Sequence, residues 1–183
     1  GTRAVHLVRR PSSIVVSNYA YTKDLQPGWD RGPDVRRGQA LSLLPLEWGV
    51  INECLIYFSS YHGQMLAVHQ MIQDNKLDNI LEVRFENFVT NYDNTTRSIF
   101  EHLVGSDHPS IDEYVKKASQ HDVNRMDHVD RNPHVSGRTE KEDIEMEMTR
   151  LLENGNSCIK KLDEADRLMG YSQGLHSLSL WAK

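Results

Sequence analysis

The residues best placed for chemistry are an arginine and a serine eight positions apart, Arg9 and Ser17. Val5 to Val8 form a short apolar run, which predicts a buried β-strand that ends at Arg9. Pro11 and the serines after it are typical of a helix start, so we expect a strand, a sharp turn and a helix. This order places Arg9 beside a helix N-terminus, whose backbone N–H groups favour anions. Ser17, about two turns into the helix, can donate from the same side, and the pair predicts an anion clamp.

The same two residues also have a structural interpretation. A strand-end arginine is commonly part of a surface ion pair, and a helical serine often donates to a carbonyl of its own turn. Arg9 suits the clamp because a guanidinium binds a phosphate or carboxylate through two parallel hydrogen bonds. The spacing alone leaves both alternatives open.

The composition fits a soluble globular protein of one domain. The chain has 183 residues, enough for a sizeable core. A formal net charge of -5 argues against a general nucleic-acid-binding protein, because binding phosphates requires a basic surplus. No apolar run reaches transmembrane length, and nothing at the N-terminus resembles a signal peptide. The chain opens almost directly in a predicted strand, which we interpret as the C-terminal portion of something longer.

The cysteines and histidines predict neither a bridge nor a metal site. Cys54 and Cys158 have no metal-binding or redox spacing, so we expect each to be a small buried side chain. Three histidines share a polar segment, at His121, His128 and His134. Their spacings fit no standard ligand set, and we expect no metal. One N-glycosylation triplet, Asn94-Thr95-Thr96, says little by itself about the compartment.

The first half of the chain predicts a loop and a long helix. Turn formers indicate a loop from Lys23 to Arg37, with Trp29 anchoring it to the surface. From Pro45, apolar residues recur at three- and four-residue steps and predict one core-facing stripe. The stripe consists of Ile51, Cys54, Leu55, Phe58, Tyr61, His62, Met65, Val68, His69 and Ile72. We expect Gly63 to bend or split the helix. We also expect the two histidines of the stripe to be satisfied by neighbours, with a place in a substrate pocket as the alternative.

The second half predicts one more strand and four helices. Residues 79–85 form the strand, and Asp93 caps a helix that ends at Gly105. Capping boxes at 110–113 and 139–142 open two more helices, and a last helix stops at Gly170. Strands separated by helices indicate an α/β domain over 1–171 with a parallel sheet flanked by helices, followed by a C-terminal extension over 172–183.

Two segments resemble sulfotransferases that use 3′-phosphoadenosine 5′-phosphosulfate (PAPS). Arg9-x-Pro11 followed by Ser17 is similar to the segment that binds the nucleotide's 3′-phosphate in that family. Residues 83–105 are similar to its Arg-Tyr-Glu-Asp-Leu … Phe-Leu-Gly segment, with Phe85, Asn87 and Phe88 in place of Tyr, Asp and Leu. We interpret Glu86 of this segment as structural, tying the strand end to nearby backbone. The resemblance covers roughly residues 5–171.

The resemblance implies the P-loop-NTPase-like sulfotransferase fold and a reaction. A sulfuryl group would pass from PAPS to a hydroxyl or amine of an acceptor, releasing adenosine 3′,5′-bisphosphate without a metal. Arg9 and Ser17 would hold the 3′-phosphate, and Gly137, Arg138 and Arg131 would belong to a loop that closes over it. The family continues that loop into Gly-x-Trp-Lys, and this sequence lacks the Trp and the Lys.

The resemblance also implies what this chain does not supply. The family's 5′-phosphosulfate loop and the histidine base of many members precede the first matched strand. We therefore expect the N-terminal part of the domain to be absent, or to come from a second chain, and the catalytic residues stay unknown. We expect the acceptor to be a small molecule or a carbohydrate, and we expect no nucleic-acid partner and no membrane segment. The compartment stays unknown, with the cytoplasm and the Golgi lumen both open.

Other classes of function stay open. A non-catalytic protein-interaction domain would use Arg9 in a structural ion pair and the Trp29 loop to bind its partner. A degenerate sulfotransferase relative would keep the fold without catalysis. A nucleotide kinase relative is disfavoured because no Gly-Lys-Ser/Thr run follows a strand, and Gly28, Gly32 and Gly38 form no P-loop.

Overall fold

The structure, a computed structural model, describes residues 1–23, 33–122, 125, 138–171 and 175. In this part of the chain there are two β-strands, eight α-helices and one π-helical turn. The contacts divide the chain into two compact units. The first unit consists of residues 1–9 and 65–132, and the second of residues 10–64 and 133–183. One boundary between the units therefore falls between Arg9 and Arg10.

The first unit is built on two parallel strands, β1 (Ala4–Val8) and β2 (Ile80–Arg84). The register pairs the first residue of β1 with the first of β2 and the last with the last, so both strands end at the same edge. Parallel strands need a long crossover between them, as here. Helix α5 (Phe85–Val104) packs on both strands, and α6 (Ile111–Ser119) packs on α5. This arrangement brings the end of β1 next to the start of α5.

Helix α5 begins at Phe85, directly after β2, so the predicted cap at Asp93 is wrong. The helix is kinked at Asn91, whose φ and ψ of -154° and 62° are not helical. The Thr95 hydroxyl bridges the kink, donating to the carbonyl oxygens of Asn87 and Asn91 at 3.1 and 2.8 Å. The kink interrupts the apolar period, which is why the sequence shows only the second half of the helix.

The second unit is a helical core. It contains α1 (Pro11–Lys23), α3 (Leu46–Tyr57), α7 (Arg138–Glu153) and α8 (Ser157–Leu168), with α2 (Pro33–Leu43) packed on α1. The buried side chains of these helices are mainly aliphatic. They include Val15, Ala20, Val50, Ile144, Met148, Ile159 and Leu162. Burial of this apolar surface is the main source of the unit's stability.

Cys54 of α3 and Cys158 of α8 form a disulfide, so the expectation of two separate buried cysteines is wrong. Their Cα atoms lie 6.3 Å apart because α3 packs on α8. The two cysteines are 104 positions apart in the sequence and meet only through tertiary packing, which no spacing rule detects. The bridge cross-links two helices of the second unit.

The loop predicted in the first half of the chain needs correction. The expected loop from Lys23 to Arg37 is too long, because α2 already begins at Pro33. Proline suits a first-turn position, since its fixed φ fits the helix and its missing N–H would have no partner there. Trp29 lies outside the described residues.

The predicted apolar stripe does not form one buried face. Helix α3 passes into the π-helical turn Phe58–His62 and then into α4 (Gly63–Gln73), so the predicted split at Gly63 marks a real change of helix type. A π-turn has more residues than an α-turn and rotates the side chains that follow. Cys54 and His69 are buried as predicted, whereas Leu55 is exposed.

The chain is broadly α/β, mostly helical with a small two-stranded parallel sheet. The sulfotransferase fold and the boundaries 1–171 and 172–183 stay predictions. Among the helices that the structure describes, none combines the length and the apolar content needed to cross a membrane.

Candidate anion-binding site

Arg9 directly follows β1, at the carboxyl edge of the parallel strands. Because Val8 is in register with Arg84, Arg9 comes level with Phe85, the first residue of α5. The Arg9 guanidinium carbon lies 4.7 Å from the centre of the Phe85 ring, within cation–π distance. Open α/β sheets bind their ligands at this edge, beyond the carboxyl ends of the strands. The position of Arg9 therefore suits an anionic ligand.

Arg10 has different surroundings. Its side chain is buried in the second unit, with the residue 2% exposed. Its Nε donates to Oδ2 of Asp166 at 2.8 Å, and its guanidinium carbon lies 5.7 Å from the centre of the Tyr171 ring. Asp166, on α8, is fully buried. The pair connects the residue just before α1 to α8, and loss of either partner would leave a buried charge without a counter-ion.

Asp166 also occupies the N-terminus of α1. The backbone N–H of Ser12 donates to Oδ1 of Asp166 at 2.9 Å, and the Ser12 hydroxyl donates to Oδ2 at 2.6 Å. The helix start does favour an anion, as its dipole requires, but here the anion is an internal carboxylate. Burial raises the pKa of Asp166, while the Ser12 hydrogen bonds and the Arg10 charge act in the opposite direction. The sequence did not predict this role of Asp166, because no residue near it in the chain indicates that α8 packs on the start of α1.

The predicted clamp joins residues of both units. Arg9 lies in the first unit, and Ser17 lies half-buried on α1 in the second. Arg131 and Gly137 lie outside the described residues. Arg138 is the first residue of α7, and its side chain also lies outside the described part. The clamp and its closing loop therefore stay predictions.

A tyrosine and a histidine form a second polar contact in the second unit. The buried Tyr57 hydroxyl lies 3.3 Å from Nδ1 of His62, at the end of the π-helical turn. Burial, and then the negative charge of Asp166, raise the pKa of Tyr57, so the phenol stays protonated. Burial lowers the pKa of His62, which favours its neutral form. A neutral imidazole can accept a hydrogen bond from the phenol. Sequence reasoning missed Tyr57, the last residue of α3, because the π-helical turn that brings His62 to it has no local signature.

The other histidine of the predicted stripe is satisfied by a carboxylate in the first unit. Nδ1 of His69 lies 2.8 and 2.9 Å from the two Glu82 oxygens. Nδ1 of His6 lies 3.3 Å from one of the same oxygens. Since β1, β2 and α4 each supply one residue, this cluster ties the helix to the sheet. The structure confirms the expectation that His69 is satisfied by a neighbour.

A pocket of about 410 Å³ lies between β2 and α5 in the first unit. Its walls are mostly amide and hydroxyl side chains from the helix, with a short stretch of the strand. They comprise Leu81, Glu82, Val83, Asn87, Thr90, Asn91, Asn94, Thr95 and Ser98. Such a lining suits a hydroxyl-rich molecule, because amides and hydroxyls both donate and accept hydrogen bonds.

In the described residues no group of three His, Cys, Asp or Glu side chains is arranged to hold a metal ion. No family model, no curated protein and no solved structure matches this chain.

Proposed function

We propose that this chain is a PAPS-dependent sulfotransferase, or the nucleotide-holding portion of one, and that Arg9 binds the 3′-phosphate. The reaction would transfer a sulfuryl group to a hydroxyl or amine of an acceptor. The observation that supports it best is the place of Arg9, at the carboxyl edge of two parallel strands and over the first residue of α5. Arg9, from the first segment that resembles the family, and Phe85, from the second, both lie at this edge.

The chemistry gives the chain's residues a defined task. The acceptor oxygen or nitrogen attacks sulfur, the bond from sulfur to the 5′-phosphate oxygen breaks, and the acceptor loses a proton. Adenosine 3′,5′-bisphosphate leaves. A guanidinium on the 3′-phosphate fixes the far end of the nucleotide, so that sulfur and acceptor stay aligned. The proposal assigns neither the base nor the 5′-phosphosulfate loop to this chain.

The test is a calorimetric titration of the chain with adenosine 3′,5′-bisphosphate, with adenosine 5′-phosphate as the reference ligand. We expect the first to bind and the second to bind far more weakly. Arg9→Ala should weaken binding by about 10- to 100-fold, since hydrogen bonds to charged groups contribute about 1.5–3 kcal/mol. Ser17→Ala should have a smaller effect, because a hydroxyl contributes one neutral donor.

Arg3→Ala is the matched control. It removes the same charge from the same unit, but Arg3 precedes β1 and donates to the carbonyl oxygen of His102. Binding should survive this change. Equal affinity for the two nucleotides, equal effects of Arg9→Ala and Arg3→Ala, or no binding by a chain with a cooperative unfolding transition would each contradict the proposal.

The second candidate is a protein-interaction domain without catalysis. Exposed apolar side chains at the end of α2 and on α3 favour it: Leu43 is 87% exposed and Trp48 59% exposed. Leu55, seven residues after Trp48 and so on the same face of α3, is also exposed. If the chain has this function, it would bind neither nucleotide. Trp48→Ser, and not Arg9→Ala, would then weaken its binding to a partner protein.

A further inference from the structure

We propose that Asn94 carries an N-linked glycan and that the chain folds in an oxidising compartment of the secretory kind. Asn94-Thr95-Thr96 is the one Asn-x-Ser/Thr triplet in the sequence. By itself a single triplet says little. Three features of the folded chain give it weight: the disulfide, the exposure of Asn94 and the surroundings of Thr96.

The disulfide points to the compartment. Bonds between cysteines persist in secreted and lumenal proteins and are rare in the cytosol, where thiols are kept reduced. The only two cysteines of the sequence, Cys54 and Cys158, are joined to each other. Forming the bond takes two protons and two electrons from the thiols, which a disulfide-carrying oxidoreductase of such a compartment accepts. The ER lumen, in which the disulfides of secreted proteins form, is also the compartment in which N-glycans are attached.

The position of Asn94 can accommodate a glycan. Its side chain is exposed on α5, three residues past the kink at Asn91. It borders the polar pocket between α5 and β2. The first sugar attached to Asn94 would therefore lie next to the hydroxyls of Thr90 and Ser98, which line the same pocket and can hydrogen-bond to it. A glycan there would also keep substrates out of this pocket.

Thr96 supplies the third feature. Its side chain is buried, with 6% of the residue exposed, and its hydroxyl has no hydrogen-bond partner within the described residues. A buried hydroxyl without a partner costs free energy, and a valine methyl would fill the same space without that cost. The neighbouring Thr95 differs, because its hydroxyl bridges the kink of α5. The hydroxyl of Thr96 therefore has no evident role in the fold, whereas the triplet requires it.

The modification is a group transfer from a lipid-pyrophosphate-linked oligosaccharide. Nδ2 of Asn94 forms a bond to C1 of the first sugar, and the bond from C1 to the pyrophosphate oxygen breaks. The lipid pyrophosphate leaves, and the amide nitrogen loses one proton to a base of the transferase. The transferase acts on the triplet as an extended segment, so the helical conformation of the folded chain does not oppose it.

To test the proposal, the 183-residue chain is expressed in a eukaryotic cell behind a cleavable secretory leader. A glycan amidase, which converts a glycosylated Asn to Asp, is then applied to total protein, and peptide masses are compared with and without it. We expect conversion at position 94 in a chain whose Cys54–Cys158 bond is intact in a non-reducing peptide map. Asn94→Gln should abolish the conversion.

Substitutions at two neighbouring positions distinguish the effect of losing the triplet from the effect of destabilising the fold. Thr96→Val should abolish glycosylation and leave the thermal unfolding midpoint unchanged or raised, whereas Thr96→Ser should keep glycosylation. Thr95→Val keeps an Asn-x-Thr triplet, so it should stay glycosylated although it unfolds at a lower temperature. A wild-type chain with the bond formed and no conversion at Asn94 would overturn the proposal, as would a glycan that survives Thr96→Val.

Discussion

Arg9 and Arg10 are neighbours in the sequence, yet they belong to different units and differ in burial and in the groups they contact. Arg10 is buried in the helical unit and donates to a buried carboxylate, Asp166. Arg9 is half-buried in the sheet unit and lies over the ring of Phe85, at the edge where the two strands end. One residue of chain separates a charge that is part of a core from a charge at a sheet edge.

The difference shows how the two units use polar groups. A buried charge needs a fixed partner, because the low dielectric of the interior penalises it otherwise. In the helical unit Asp166 meets this need for Arg10 and for the start of α1 together, through the three hydrogen bonds from Arg10 and Ser12. Arg9 at the sheet edge is only half-buried, so part of its side chain is within reach of a ligand. We therefore expect changes at Arg10 to act on stability and changes at Arg9 to act on binding.

Breaking the buried pair should have the largest effect. Asp166→Asn keeps the shape of the side chain but removes the negative charge next to Arg10. We expect the free energy of unfolding to fall by about 3–5 kcal/mol, since a buried charge that loses its counter-ion is strongly destabilising. Urea denaturation followed by circular dichroism measures the change.

The control for this prediction removes both charges. In the double variant Arg10→Met, Asp166→Leu no buried charge remains, and most of the lost stability should return. A double variant as unstable as Asp166→Asn would show that shape and the bonds to Ser12, rather than charge, make Asp166 important.

Removing the disulfide should have the next largest effect. We expect the double variant Cys54→Ser, Cys158→Ser to lose about 2–4 kcal/mol, because the unfolded chain regains the freedom that the cross-link removes. Amide hydrogen exchange should show the loss of protection in α3 and α8, which the bridge joins, and less in β1 and β2. Dithiothreitol should destabilise the wild type and leave the variant unaffected. Equal loss of protection in the strands would mean that the two units unfold together.

The sequence could predict the features that depend on adjacent residues, and it could not predict those that depend on tertiary packing. The strand that ends just before Arg9, the helix that starts at Pro11 and the helix end at Gly105 were predictable, because each depends on a few adjacent residues. The predicted burial of the strand is wrong, because Val8 is its one buried residue and Leu7 is 53% exposed. The satisfied state of His69 was also predictable, since a histidine on a helix face usually finds a neighbour. The carboxylate that satisfies it, Glu82, comes from a different element.

The features that the sequence could not predict depend on residues far apart in the chain. Asp166 reaches Ser12 across most of the sequence, and Cys54 reaches Cys158 only because α3 packs on α8. The π-helical turn rotates the predicted apolar stripe without a local signal. Of the candidate site, the sequence predicted Arg9 at a strand end. The internal carboxylate at the start of α1 was not predictable, because only tertiary packing brings it there.

Replacing Arg9 should have the smallest effect on stability. Arg9→Gln should lower the free energy of unfolding by about 1 kcal/mol, the usual size of a cation–π contact that is partly exposed to water. Arg10→Gln should cost about 3–5 kcal/mol, because it leaves the buried carboxyl group of Asp166 without its counter-ion.

Phe85→Leu should cost about as much as Arg9→Gln. The double variant Arg9→Gln, Phe85→Leu should cost less than the sum of the two, since the stability changes of residues in contact do not add. If Arg9→Gln costs as much as Arg10→Gln, the two arginines are equally structural, and the assignment of Arg9 to a ligand loses its physical basis.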